Sequence, residues 1–283
     1  MLFCGQFRLK LDRPLIMGIV NVTPDSFSDG GRYFSVDAAV EHGRRLIDEG
    51  ADILDIGGES SRPGALPVSS DEELARVIPV IKALAHEQVP LSVDTVKPEV
   101  MKEAISAGVS MINDINALQG VDHDFIAESD VALCLMHKQG EPVTMQLAPS
   151  YNSVVEEIRL FLIERIEAAI ASGIARERLV IDPGFGFGKR LEQNIELLRH
   201  LDGFSETGVP VLAGLSRKSM LGQLTGRAAG ERSYASVAAS LIAVMKGAAI
   251  VRVHDVGAMK DALSIFNAIE GKEWAESISA RMA

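Results

Sequence analysis

Ile16-Met17-Gly18-Ile19-Val20-Asn21 is a short apolar run that stops on an amide, and a loop and a helix-like stretch follow it. The same event recurs down the chain. Apolar runs at 53–56, 91–93, 111–112, 131–136, 180–181, 211–215 and 250–251 end at Gly57-Gly58-Glu59, Asp94, Asn113, His137, Asp182, Ser216 and Arg252. Short strands with no polar alternation belong to a parallel sheet covered by helices. Eight such βα units close a barrel whose strand-end polar residues converge on one mouth. The chain therefore reads as an α/β protein, a (β/α)8 TIM barrel, with one domain over residues 1–283. A doubly wound open sheet shares the rhythm. It usually carries a Gly-x-Gly-x-x-Gly turn after its first strand, and none follows Val20.

The flanking segments fit this frame. Residues 2–12 alternate around Gly5-Gln6, which predicts a small hairpin plugging one end of the barrel. Ser35 and Gly50 are read as the cap and stop of the first helix. Ser70 with Glu73 resembles a capping box, ahead of an apolar stripe at Leu74, Val77, Ile78 and Ile81. Further helices are expected over 153–172, 235–246 and 256–270, the first two stopped by Gly173 and Gly247.

Bulk properties set bounds. The 283 residues are 47% hydrophobic, enough for one large core, and the net charge of −11 argues against nucleic acid as a partner. No apolar run approaches the roughly 20 residues of a membrane span. Met1–Gln6 shows no basic region leading into a long apolar core, so no signal peptide is expected. Cys134 sits within an apolar run and reads as a buried free thiol; the composition fits a cytoplasmic enzyme.

Asp94, Asn113 and Asp182 each close a strand, so a barrel aims all three into the same mouth. Two of them also have a plainer reading: Asp94 as the cap of a helix from about Lys97, Asp182-Pro183-Gly184 as a turn. A carboxylate accepts two hydrogen bonds side by side. That matches a heterocycle with adjacent N–H and NH2 groups, as guanines and pterins have.

A second group of residues suits an anion. Arg252-Val253-His254-Asp255 and Ser216-Arg217-Lys218-Ser219 follow the eighth and seventh strands, where such barrels often bind phosphate. Arg252 and His254 share one side of an extended stretch, although a buried ion pair is another role for Arg252. Ser61 and Arg62 follow a Gly57-Gly58 turn and offer a hydroxyl and a guanidinium; Arg62 also reads as a surface residue. Asn21 heads a long loop of the lid-forming kind, and its neutral oxygen suits Mg2+, or it serves the strand end structurally.

Gly184-Phe185-Gly186-Phe187-Gly188-Lys189 is glycine-rich but not a Walker loop, because Arg190 follows the lysine. Phe187 is placed to wall a pocket for a ring. Met136-His137 receives no physical role. No His-x-His follows the first strand and no Cys/His cluster occurs, which argues against a catalytic zinc. No lysine ends a strand in the manner of a Schiff-base enzyme, though Lys218 lies close by.

With these residues in place, the chain resembles the bacterial dihydropteroate synthases. The resemblance is carried by Met17-Gly18-Ile19-Val20-Asn21-Val22-Thr23-Pro24-Asp25-Ser26-Phe27-Ser28-Asp29-Gly30-Gly31 and by segments 55–64, 92–95, 113–115, 136–137, 182–189, 216–219 and 252–255. These run in the family order across nearly the whole barrel. Ser61 stands where the family usually has threonine, and the hydroxyl is kept.

The resemblance implies condensation of 6-hydroxymethyl-7,8-dihydropterin diphosphate with p-aminobenzoate, with Mg2+, to give 7,8-dihydropteroate and diphosphate. It implies that Asp94, Asn113, Asp182 and Lys218 bind the pterin. Asn21 with Mg2+, Ser61, Arg252 and His254 would hold the diphosphate. Ser61, Arg62, Pro63, Phe187, Lys218 and Ser219 would form the p-aminobenzoate pocket, where sulfonamides compete. Asp94, Lys218, Arg252 and His254 are the expected catalytic residues. A homodimer is also implied; the apolar 235–249 stretch is one candidate interface, and a core-facing helix is its other reading. The competing expectation is a pterin-binding methyltransferase barrel acting with a corrinoid protein, which has no need of the anion-binding residues.

Overall fold

The structure is a computed structural model and describes residues 1–23, 32–60, 64–141 and 143–281. Among these, eight parallel strands form the barrel: β3 (Leu15–Asn21), β4 (Ile53–Gly57), β5 (Leu91–Asp94), β6 (Met111–Asp114), β7 (Ala132–Met136), β8 (Leu179–Asp182), β9 (Leu212–Ala213) and β10 (Ile250–Val253). Each pairs with the next from β3 to β8, while β10 lies between β3 and β9. An isolated bridge, Ile181 to Val211, joins β8 to β9 and nearly closes the ring. The N-terminal hairpin is β1 (Leu2–Cys4) and β2 (Phe7–Leu9), turning at Gly5 with φ 57°.

Strand parity sorts the core into two clusters, because successive side chains leave opposite faces of a strand. Ile16, Val20, Leu54, Ile56, Ile112, Leu133, Ile181 and Val251 pack outward against the helices. Leu15, Met17, Ile53, Met111, Cys134, Val180, Leu212 and Ile250 turn the other way and meet Leu2, Cys4 and Leu11 of the hairpin segment. The hairpin thus fills the bottom of the barrel. Two residues further up the same face stand Ile19, Asp55, Asn113, Met136, Asp182, Gly214 and Arg252. The polar mouth is the upward continuation of the inner apolar layer.

The outer helices are α1 (Arg32–Asp48), α2 (Ser70–Leu84), α3 (Pro98–Ala107), α4 (Asp124–Ala127), α5 (Val154–Ala171), α6 (Leu191–Arg199), α7 (Ser219–Thr225), α8 (Ser233–Met245) and α9 (Val256–Ile269), followed by α10 (Gly271–Arg281). Three expectations are corrected. The first helix starts at Arg32, so Ser35 lies within it and does not cap it. The cap of α2 is Ser69, whose hydroxyl accepts from Glu72 N at 3.2 Å. Glu73 is turned inward and, 1% exposed, pairs with Lys97 instead of closing a box on Ser70. The chain also continues beyond residue 270 into α10, whose Trp274 Nε1 donates to Val244 O at 2.9 Å.

The layered barrel makes a direct prediction. Met17 is fully buried between the hairpin and the strand layer. Met17→Ala should lower unfolding stability by about 2–5 kcal/mol in urea titrations, the usual cost of such a cavity. A loss under about 1 kcal/mol would contradict a tightly plugged barrel bottom.

Candidate active site

Arg252, on the inner face of β10, reaches across β3 to the two strands beyond. Its Nε donates to Asp55 Oδ2 at 2.5 Å and its Nη2 to Asp94 Oδ2 at 2.8 Å. Asp55 is wholly buried and also accepts from Asn113 Nδ2 at 3.0 Å. One guanidinium and one amide therefore tie β4, β5, β6 and β10 together at the mouth. A guanidinium has five N–H donors, so these two bonds do not exhaust it.

The plainer reading of Asp94 as a helix cap does not apply. The N-cap of α3 is Lys97, and its N–H is taken by Thr95 Oγ1 at 3.2 Å. Burial pushes the Asp94 carboxyl up to about 7; Arg252 pulls it down, and the neighbouring Asp55 charge pushes it up again.

Asp182 combines the two roles considered for it. Its Oδ1 accepts from Gly184 N at 2.7 Å, fixing the turn. Its Oδ2 faces Gly214: a Cβ placed there would lie 3.7 Å from that oxygen, 3.9 Å from Arg252 Cβ and 4.0 Å from Lys218 Nζ. Asp182, Lys218 and Arg252 thus surround one point on the barrel axis side of β9, kept open by a glycine. Burial raises the Asp182 pKa, opposed first by Lys218.

Lys218 projects from the N-cap of α7. Its ammonium donates to Phe185 O and lies 4.4 Å from the centre of the Phe187 ring. Burial lowers its pKa to about 8 while Asp182 resists the shift.

Two buried acceptors in this cluster, Asn113 Oδ1 and Asp55 Oδ1, have no hydrogen-bond partner within the described protein. Buried polar atoms are nearly always paired. Orphan acceptors beside Asp182 fit a ligand that brings N–H donors.

The rim towards β9 and β10 is built differently. The His254 backbone N–H donates to Ser216 Oγ at 3.2 Å, and the same hydroxyl lies 2.9 Å from His254 Nδ1. Ser216 thereby orients the imidazole. Arg217 holds a left-handed φ of 58°, pinned by Asp255 at 2.7 Å and by its own N–H on Ser236 Oγ at 2.9 Å. Lys218, the next residue, is aimed by that bend. Ser219 is exposed in the first turn of α7.

Asn21 ends β3, in register with Gly57, which in turn is in register with Asp94. Its parity places it on the inner face above Met17 and Ile19. Among the described residues no cluster of three His, Cys, Asp or Glu side chains could hold a metal. A neutral amide oxygen is a donor type that suits a hard cation such as Mg2+.

Ser61, Arg62 and Pro63, and the loop residues 24–31, lie outside the described residues. The stem leading to residues 61–63 is anchored from behind: Arg76 Nη1 donates to Gly58 O at 2.7 Å, and Lys97 pairs with both Glu59 and Glu73.

Asp94, Asn113, Asp182, Lys218 and Arg252, all expected from the sequence at the barrel mouth, meet there. It gave Asp55 no role. The available signal was parity: a carboxylate two residues after Ile53 within an apolar run must share that residue's face.

Comparison with known proteins now gives the class. A family model described as "Pterin binding enzyme" matches residues 17–254. The chain belongs to the pterin-binding enzyme family. It is 51% identical to the dihydropteroate synthase of Neisseria meningitidis serogroup B over 273 residues, covering 94% of this chain and 96% of the relative. A structure of Xanthomonas albilineans dihydropteroate synthase with 4-aminobenzoic acid is 56% identical, with a TM-score of 0.87, covering 93% of this chain and 95% of that one. Yersinia pestis dihydropteroate synthase in a sulfonamide drug complex is 48% identical, with a TM-score of 0.89, covering 94% and 98%.

The Asp94 environment predicts a stability signature. Its pKa is raised on folding, so the folded state holds the proton more tightly. That contribution is complete below the ordinary value of 3.8 and is lost as pH rises to about 7. Measured against Asp94→Asn, the ligand-free protein should lose melting temperature from pH 4 to about 7 and run parallel to it above. Parallel curves across the lower range would contradict the assignment.

Proposed function

We infer that the chain is a dihydropteroate synthase, a transferase that joins the pterin-methyl group of 6-hydroxymethyl-7,8-dihydropterin diphosphate to p-aminobenzoate. The observation that carries this reading is the acceptor set at the mouth: Asn113 Oδ1 and Asp55 Oδ1 orphaned, with Asp182 Oδ2 and the Lys218 ammonium both close to Gly214. A pterin edge supplies adjacent N–H and NH2 donors and a carbonyl for the ammonium. High identity to dihydropteroate synthases over nearly the whole chain supports this over a corrinoid-dependent methyltransferase.

In this reading Asp182 and Asn113 bind the pyrimidine edge, and Lys218 lies at the carbonyl side. Arg252 and His254 take the diphosphate, with Ser61 beside them. Binding the leaving group with preorganised donors lowers the cost of C–O cleavage, most strongly where water is excluded. The electron pair of the C–O bond departs with diphosphate, and the ring delocalises the positive charge left on the exocyclic methylene. Asp94 in its ionised form, held by Arg252, stabilises that charge. The neutral aromatic amine then forms the C–N bond and releases a proton, so no strong base is needed.

Asn21 would hold Mg2+ together with the diphosphate oxygens; the ion supplies charge neutralisation there. The second substrate would lie against Phe187 and Lys218, with Arg62, Pro63, Ser61 and Ser219 completing its pocket. Sulfonamides would compete for that place, as the likeness to a sulfonamide-bound structure supports.

A homodimer belongs to the same proposal. Tyr234, Ile242 and Met245 on α8 and Ile265 and Ile269 on α9 are exposed apolar residues on neighbouring helices. Exposed apolar side chains gathered on neighbouring helices are the material of association surfaces. A cytoplasmic place of action accords with a substrate set of small metabolites.

Two outcomes follow. Asp182→Asn should weaken pterin affinity by about 2–3 kcal/mol, roughly 30- to 150-fold, by removing a charge-assisted pair; unchanged affinity in calorimetry would refute the role. Light scattering should give a mass of twice 30.4 kDa, falling to 30.4 kDa in Met245→Glu. A monomeric parent, or an unaffected variant, would remove the α8–α9 surface from the proposal.

A further inference from the structure

Met136-His137 and the lysine closing Gly184-Phe185-Gly186-Phe187-Gly188-Lys189 take no part in the chemistry above, and the structure joins them. Lys189 is 2% exposed, and among the described residues it forms no ion pair. Its ammonium instead reaches His137 Nδ1 at 3.0 Å, Gly184 O at 2.7 Å and Phe187 O at 3.0 Å. An ammonium has three donors, and these three acceptors match them, with His137 O a longer contact at 3.5 Å. His137 is itself buried, set edge-on to Phe161 with ring centres 5.0 Å apart. Burial and the adjacent ammonium lower its pKa to about 3, so it stays neutral, with Nδ1 accepting.

Lys189 has Asp182 as a through-space charge partner but no carboxylate in contact; burying a lysine in this way is costly, and an apolar side chain would fill the space with less penalty. What the lysine provides is a centre for the loop to wrap. Gly184, Gly186 and Gly188 have φ of 72°, 79° and 64°. A Cβ on Gly184 would come 1.9 Å from His137 O, and one on Gly188 would come 2.2 Å from Gln139 O. The loop lies directly on the backbone that follows β7, and Lys189 gathers the carbonyls of 184 and 187 from inside. On its other side the same loop offers Phe185 O and the Phe187 ring to Lys218.

We propose that Lys189, oriented by His137, is a positioning residue for Lys218: it fixes the 184–188 loop in the conformation whose Phe185 carbonyl and Phe187 ring hold the Lys218 ammonium beside Asp182. The proposal rests on the pterin reading of that site. It gives the fifth strand end a task and explains why a lysine that forms no ion pair among the described residues is buried next to the mouth.

A double-mutant cycle tests it, with pterin affinity by calorimetry and melting temperature as separate readouts. Lys189→Met should weaken pterin binding roughly tenfold, ~1.4 kcal/mol. In a Lys218→Ala background the same change should cost less than about twofold, because the residue it acts through is gone. The melting-temperature loss should be the same in both backgrounds, as a merely structural role would require of affinity too. If Lys189→Met does not accumulate folded, Lys189→Gln, which keeps donors for the loop carbonyls, carries the same cycle with a smaller effect. Equal affinity losses in both backgrounds, or none in either, overturn the proposal while leaving the pterin reading intact. A parent protein that binds no pterin overturns both.

Discussion

Arg252 is the residue on which the mouth of this barrel depends. Its guanidinium spans from β10 to Asp55 on β4 and Asp94 on β5, and Asn113 on β6 extends the chain of contacts through Asp55. Three aspartates, Asp55, Asp94 and Asp182, are gathered here against two cations, Arg252 and Lys218. Burial raises two of the carboxyl groups and lowers the lysine. Such a cluster is held only because the β-barrel over-determines it, and it leaves acceptors unpaired that a donor-rich ring can satisfy. The same cation that steadies the carboxylates is the one assigned to the leaving diphosphate, so ligand binding and charge balance are coupled at one side chain.

The barrel separates stability from chemistry along the strand axis. Below, Leu2, Cys4 and Leu11 close a dry layer with Met17, Ile53 and Val180. Two residues higher on the same faces, parity delivers Asp55, Asn113, Asp182 and Arg252 without any further instruction. Behind the mouth, a second set of contacts holds the loops: Ser216 under His254, Arg217 with Asp255, Arg76 and Lys97 under the β4 loop, and Lys189 inside the glycine-rich turn. Conserving the geometry of a site on loops requires this kind of support, since loops alone carry little packing.

How much of this was legible in the sequence follows from how local each signal is. Strand ends such as Val93-Asp94 and Ile181-Asp182 announce themselves, because an apolar run and its polar stop are adjacent. Asp55 was hidden in the middle of a run, and only alternation with Ile53 assigns it to the interior. Ser70 fits the cap pattern as well as Ser69, the residue that serves; Glu73 is claimed by Lys97, 24 residues away, which no local rule detects. His137 stayed without a role for the same reason: its partner lies 52 residues on. Ser61 and Arg62 announce themselves as a hydroxyl and a guanidinium after the Gly57-Gly58 turn, and the family resemblance adds Pro63.

The most direct test of the account is the reaction itself. Purified protein, Mg2+, 6-hydroxymethyl-7,8-dihydropterin diphosphate and p-aminobenzoate should yield 7,8-dihydropteroate and diphosphate in equal amounts, with both substrates required for the first product. Pterin binding with no formation of dihydropteroate would contradict it, and would reduce the site to one that recognises a heterocycle without transferring it.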